Sequence, residues 1–224
     1  MSQSASMRGP STTGQDIERH GRDHTPLGQP HTETQAREES EEVMFGFWIF
    51  LMSDLVIFAM VFATYGVMRD ALAGGPGPKG LFDLNSAAIE TVVLLSSSFT
   101  CGMSTLSAKY EESAGRTVAW LIVTLLLGFV FLGFEVHDFM DMVSKGGVPS
   151  RSGWLSALFT LIGTHGLHVT VGCLWGLVMI VQLFVFGLDQ DVQTRLMRFG
   201  LFWHFLDIIW IGIFSVVYLL GLAP

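Results

Sequence analysis

Charge is scarce in this sequence. Asp, Glu, Lys and Arg together make up 14% of its 224 residues, against roughly 25% in a soluble domain. Lysine is rare, and there is no basic cluster to hold nucleic acid and no polybasic stretch to read an anionic lipid surface. The two cysteines, Cys101 and Cys173, fall in different apolar segments, which argues against a disulfide framework and leaves them as small packing residues. No cleavable signal peptide is expected, because residues 1–42 are polar from the first position. Membrane insertion is therefore expected to use the first apolar segment itself.

Apolar residues, by contrast, are abundant. Hydrophobic residues make up 50% of the chain, with 18 Phe and 6 Trp, and the mean hydropathy is positive. The composition is that of an all-α membrane protein carrying a polar N-terminal tail. Residues 1–42 are rich in Ser, Thr, Gln, Gly and acids, and hold His20, His24 and His31 at spacings that match no ligand template. With no apolar periodicity, this stretch is expected to be disordered.

Five apolar segments come next, at about 43–68, 87–108, 117–139, 154–185 and 195–220. Each reaches or exceeds the roughly 20 residues that cross a hydrocarbon core, and each is too long and too evenly apolar for a barrel strand. They predict a bundle of five transmembrane helices as a single domain over residues 43–224. Loop charges set the orientation. Arg37, Lys109, Arg116, Arg195 and Arg198 lie on the N-terminal side, with Arg8, Arg19 and Arg22 further out. Arg69, Lys79, Lys145 and Arg151 lie on the other side, so the N-terminus is expected inside and the C-terminus outside. Helix contacts are expected at small residues, notably Gly172 and Gly176 and the face formed by Ser96, Ser97, Ser98 and Gly102. Trp48, Tyr110, Trp120, Trp154 and Trp203 lie near span ends, where interface anchoring is the ordinary role.

Within these spans, ionisable residues are costly and need a reason to be present. Asp54 lies about 16 Å along the first span at about 1.5 Å per residue, near mid-depth. It is either a proton-handling group or a protonated acid hydrogen-bonded to a neighbouring helix. His165 and His168 share one face of the fourth span, and His204 and Asp207 repeat that spacing on the fifth. Metal or haem ligation is one reading of these four. The other is hydrogen bonding between helices, an imidazole on one meeting a carboxyl on another. Glu90 and Glu135 lie near the start of the second span and the end of the third, at what is expected to be the same interface. A proton-coupled transporter working through Asp54 and Asp207 is a third reading. Five unbroken spans without visible internal symmetry speak against it.

Four stretches then occur in order on successive spans: Phe45-Gly46-Phe47-Trp48 with Leu51-Met52-Ser53-Asp54; Glu90 through Ser97; Gly163-Thr164-His165-Gly166-Leu167-His168-Val169; and Trp203-His204-Phe205-Leu206-Asp207 with Trp210. Together, over residues 44–221, they resemble subunit III of the haem–copper respiratory oxidases. Longer members have seven spans. The five-span form preceded by a polar tail is similar to the bacterial cytochrome o branch, which oxidises ubiquinol.

That resemblance implies a non-catalytic subunit of an oxidoreductase in the bacterial inner membrane. The complex reduces oxygen to water and pumps protons in aerobic respiration. Haem b, haem o and copper would belong to the catalytic subunit I, with subunit II and a small subunit IV as further partners and none of the cofactors in this chain. The subunit would brace subunit I, hold phospholipid, support proton uptake and limit inactivation during turnover. Asp54 stands where the family often has a carbodiimide-reactive glutamate, shortened here by one methylene, and is the candidate to support the proton path. Glu90, Glu135, His165, His168, His204 and Asp207 become intramembrane polar or lipid-contact residues, with no catalytic and no metal-binding residue among them. Subunit III of a cytochrome c oxidase, or of a nitric-oxide-reductase-associated complex, is the alternative within the family.

Overall fold

The structure is a computed structural model that describes residues 33–74, 77, 81–111 and 113–222. The tail expected to be disordered is residues 1–42, of which 1–32 lie outside the described residues and 33–42 belong to the first helix. The chain divides into two units, Met1–Glu39 and Ser40–Pro224, and the second holds the apolar helices and every polar site.

Among the described residues, five helices are long and apolar enough to cross a membrane and no strand occurs. They are α1 (Glu33–Met68), α2 (Leu84–Leu106), α3 (Ala114–Ser144), α4 (Gly153–Phe186) and α5 (Gln190–Ile213). The first of these begins at Glu33, ten residues before the apolar run opens at Val43. The other spans expected from sequence each fall on one helix. Local chemistry sets several of the boundaries. Asp83 starts α2 by accepting the Asn85 N–H at 2.9 Å, and Ser152 starts α4 by accepting the Leu155 N–H at 3.1 Å. Gly187 ends α4 at φ 71°, in the left-handed region that glycine enters without strain. A π-helical turn continues α2 over Ser107–Glu111, and another continues α5 over Phe214–Leu219.

The core runs down the middle of α3, α4 and α5 with α2 alongside. Trp154, Trp203, Trp210, Phe131 and Phe199 are fully buried there. Of the aromatic residues near span ends, Trp48 and Tyr110 are exposed, whereas Trp154 and Trp203 pack inside the bundle. Trp203 turns inward because two glycines make room for it. A Cβ added at Gly128 would stand 2.8 Å from its ring, and one at Gly172 would stand 3.1 Å from it. Its indole N–H donates to Ser97 Oγ at 3.1 Å. Gly176 makes room in the same way for the side chain of Leu125. The Gly172/Gly176 pair, expected at a helix contact, is thus a socket for large side chains of α3 and α5.

Helix α1 stands furthest out. It is the least buried of the five, and it meets the others through side chains. Phe47 packs on Trp175 at 5.9 Å, Phe58 reaches His168 and Phe205, and Phe62 lies against Gly212. Two hydrogen bonds tie down its C-terminal end: the backbone N–H of Trp154 donates to Ala71 O, and Arg69 donates to Leu220 O at 2.8 Å.

Candidate functional site: the buried polar residues

Asp54 and His168 meet across the α1–α4 interface. Asp54 projects from the buried stripe of α1 that also carries Leu51, Phe58 and Tyr65. Its Oδ2 lies 3.5 Å from His168 Nε2. The other imidazole nitrogen, Nδ1, lies 2.7 Å from the backbone carbonyl of Thr164. A carbonyl only accepts, so Nδ1 carries a hydrogen and Nε2 is the atom offered to Asp54. The ring of Phe58 covers the imidazole, with centroids 5.1 Å apart.

His165, one residue before Gly166 on the same helix, has a different environment. It is fully buried, and neither ring nitrogen has a hydrogen-bond partner. Trp210 lies against it at 5.3 Å, Phe131 meets it edge-on at 5.9 Å and Phe58 at 6.5 Å. It acts as an aromatic plate at the centre of the bundle.

His204 and Asp207 share one face of α5 as their spacing implies, with His204 Nδ1 3.8 Å from Asp207 Oδ2. The closer partner of Nδ1 is Ser98 Oγ on α2, at 2.7 Å. Asp207 is buried, whereas the His204 side chain is 45% exposed. It opens into a groove of about 530 Å³ that Met44 and Trp48 of α1, Gly102 and Lys109 at the end of α2, and Leu201 of α5 help to line.

Glu90 and Glu135 come together at the far end of α2 and α3, and both are buried. Glu90 is in electrostatic contact with Asp138 and Glu135. Asp138 accepts the Ser86 hydroxyl at 3.0 Å. The Glu135 carboxyl lies on the backbone of Gly166, where an added Cβ would stand 2.7 Å from Oε1.

Three polar sites result, each on a different pair of helices, so the histidines do not converge. Among the described residues no group of three His, Cys, Asp or Glu is placed to hold a metal. Cys101 and Cys173 are both buried and free. Of the partners, Ser98 was expected at a helix contact, whereas Asp138, Phe58 and the Thr164 carbonyl were not singled out. Ser98 had a visible signal, as part of a small polar run in an apolar segment. A backbone carbonyl has none.

The same stretch of chain has clear relatives among known proteins. Residues 23–222 match the family described as cytochrome c oxidase subunit III. The chain belongs to that family. Among curated subunit III relatives, it is 46% identical to the cytochrome bo(3) ubiquinol oxidase subunit 3 of Pseudomonas aeruginosa, over 92% of this chain and 97% of that one. It is 40% identical to the quinol oxidase subunit 3 of Bacillus subtilis, over 90% of this chain and 98% of that one. It is 41% identical to the corresponding subunit from Buchnera aphidicola subsp. Baizongia pistaciae, over 82% of this chain and 94% of that one. The subunit III match runs from before α1 to the end of α5, so all three polar sites lie within it.

Proposed function

We propose that this protein is subunit III of a bacterial cytochrome o ubiquinol oxidase, a non-catalytic brace on the catalytic subunit of a proton-pumping respiratory complex. What carries the reading is similarity over nearly the full length to subunits named for ubiquinol and quinol oxidases. The geometry is consistent with it. A multi-histidine metal centre needs its ligands aimed at one point, and here His165, His168 and His204 face Trp210, Asp54 and Ser98 respectively. Haem b, haem o and copper then belong to subunit I, and subunits I, II and IV are the partners.

On this reading the chain lies in the inner membrane, with the N-terminus in the cytoplasm and the C-terminus in the periplasm. Glu90, Glu135 and Asp138 then lie toward the periplasmic face. The groove beside α1 faces the cytoplasmic half of the bilayer, with Lys109 and Tyr110 among its lining residues and apolar walls below. That combination suits a phospholipid, its head at the cation and its chains along the groove. Asp54, near mid-depth on the helix that stands furthest out, is the residue to support proton uptake by the neighbouring catalytic subunit.

Affinity purification of the tagged chain from its native membrane in mild detergent tests the assignment. A large haem-bearing subunit should accompany it, and the haem spectrum should vanish when that subunit is stripped away. A single chain that retains haem would overturn the reading. Asp54→Ala in the whole oxidase should leave assembly intact and shorten the lifetime of the enzyme during turnover. An unchanged lifetime, with unchanged pumping, would reduce Asp54 to packing.

A further inference from the structure

The groove beside α1 is polar at two ends that lie far apart. Lys109 marks one and His204 the other. The depth of His204 is fixed by its bond to α2, where Nδ1 lies 2.7 Å from Ser98 Oγ. Ser98 stands eleven residues before Lys109 on α2 and its π-helical continuation, about 16 Å at about 1.5 Å per residue. That is half of a hydrocarbon core about 30 Å thick. A phospholipid with its head at Lys109 therefore brings only methylene groups to the level of His204. Methylenes offer an imidazole no hydrogen bond, and an unmatched polar group at that depth is costly.

The ring is held from behind. Besides the Ser98 contact, Asp207 Oδ2 lies 3.8 Å from Nδ1. Asp207 is 4% exposed, and neither of its oxygens has a hydrogen-bond partner. With Nδ1 engaged on the inner side, Nε2 is the nitrogen left for a molecule that enters the groove. The space there is a slot. Gly102 of α2 and Gly200 of α5 put no side chain into it, and Trp48 of α1 supplies an aromatic wall. A Cβ built at Gly102 meets nothing within 4 Å.

We propose that the deep end of this groove binds the ring of an isoprenoid quinone, with His204 Nε2 on one ring oxygen. A quinone fits the slot because it is a flat ring with oxygens at its edge, carried to mid-depth by an apolar tail. Both redox forms fit, since a neutral imidazole has one donor and one acceptor nitrogen and a serine hydroxyl serves either. With Nδ1 accepting the Ser98 O–H, Nε2–H donates to a quinone carbonyl. With Nδ1–H donating to Ser98, Nε2 accepts a quinol O–H. The site binds and releases; no electron transfer is assigned to it. The phospholipid head at Lys109 and the ring at His204 keep to opposite ends. Naming the ring a quinone rests on the quinol oxidase reading, whereas the polar edge at mid-depth does not.

Photolabelling of the purified oxidase complex with an azido-ubiquinone, followed by peptide mapping, tests the site. Label should fall on this chain between Met197 and His204 or between Gly102 and Lys109. Excess ubiquinone should displace it, and excess phosphatidylethanolamine should not. His204→Phe should raise the half-saturating concentration about fivefold, the factor that goes with one hydrogen bond. Gly102→Phe fills the slot from α2, enters open space in the fold, and should abolish the label. Label that phospholipid displaces equally well, or that survives both variants, overturns the proposal. Quinol oxidation by the same samples separates it from the assignment. An active complex with no label on this chain sinks the site alone. A complex that oxidises no quinol sinks the assignment, and label that depends on His204 would still uphold the site.

Discussion

The carboxyl group of Glu135 rests on Gly166, the residue between His165 and Leu167, with both oxygens less than 3 Å from where a side chain would begin. A glycine at that position lets α4 carry a buried acid from α3 against its backbone. The flanking histidine then stays free to stack on Trp210.

Gly166→Ala should therefore displace Glu135 and destabilise the subunit by about 1–3 kcal/mol, the usual cost of overpacking. Gly163→Ala, one turn earlier, meets nothing within 4 Å and should be silent. Thermal unfolding of the two variants in the assembled complex separates them, and equal melting temperatures would contradict the contact.

The socket around Trp203 makes a second, graded prediction. Gly128→Ala drives a methyl group into that ring and the nearby Cys173 sulfur, whereas Gly102→Ala and Gly133→Ala enter open space. Yield of intact complex should fall for the first and hold for the other two.

Trp203 and Ser97 should also be coupled. A hydrogen bond between membrane helices is worth about 0.6 kcal/mol on average, so Trp203→Phe and Ser97→Ala should each cost little beyond packing. Their double variant should cost less than the sum. A double-mutant cycle that returns zero coupling would rule out the 3.1 Å bond as a stabilising link.

Thr100 and Thr124 hydrogen-bond across α2 and α3 at 2.9 Å, both buried. Each also lies within reach of a carbonyl of its own helix, at Ser97 and Trp120. Each hydroxyl therefore keeps a carbonyl acceptor when the other is removed, so the second Thr→Val change should add little to the first. Detergent-resistance half-lives of the three variants would show this, and a double variant much worse than either single would refute it.

Much of the fold was legible in the sequence for a simple reason. A bilayer forces helices, so five apolar runs could be counted as five long helices, although α1 begins ten residues before its run. Apolar surroundings also make each ionisable side chain conspicuous, which is why Asp54, Glu90, Glu135, His165, His168, His204 and Asp207 stood out. Their partners did not. His165 and His168 share a face of α4, yet Trp210 of α5 and Phe131 of α3 lie against the first, and Asp54 of α1 lies against the second. Spacing along a helix carries no record of which neighbour each residue meets. Trp203 shows the same limit: it looks interfacial by position, and only the glycines of two other helices reveal that it turns inward.

Helix α1 touches the rest of the bundle through Asp54, Phe47, Phe58 and Phe62, whose partners are His168, Trp175, Phe205 and Gly212. All of those partners lie on α4 or α5. At a synthesis rate of about 5–20 residues per second, the ribosome finishes α1 many seconds before any of them emerges. Asp54 is therefore made well before the residue that it meets in the fold. A chaperone or a neighbouring subunit that shelters α1 in the interval would act on the one helix that the finished fold holds most lightly.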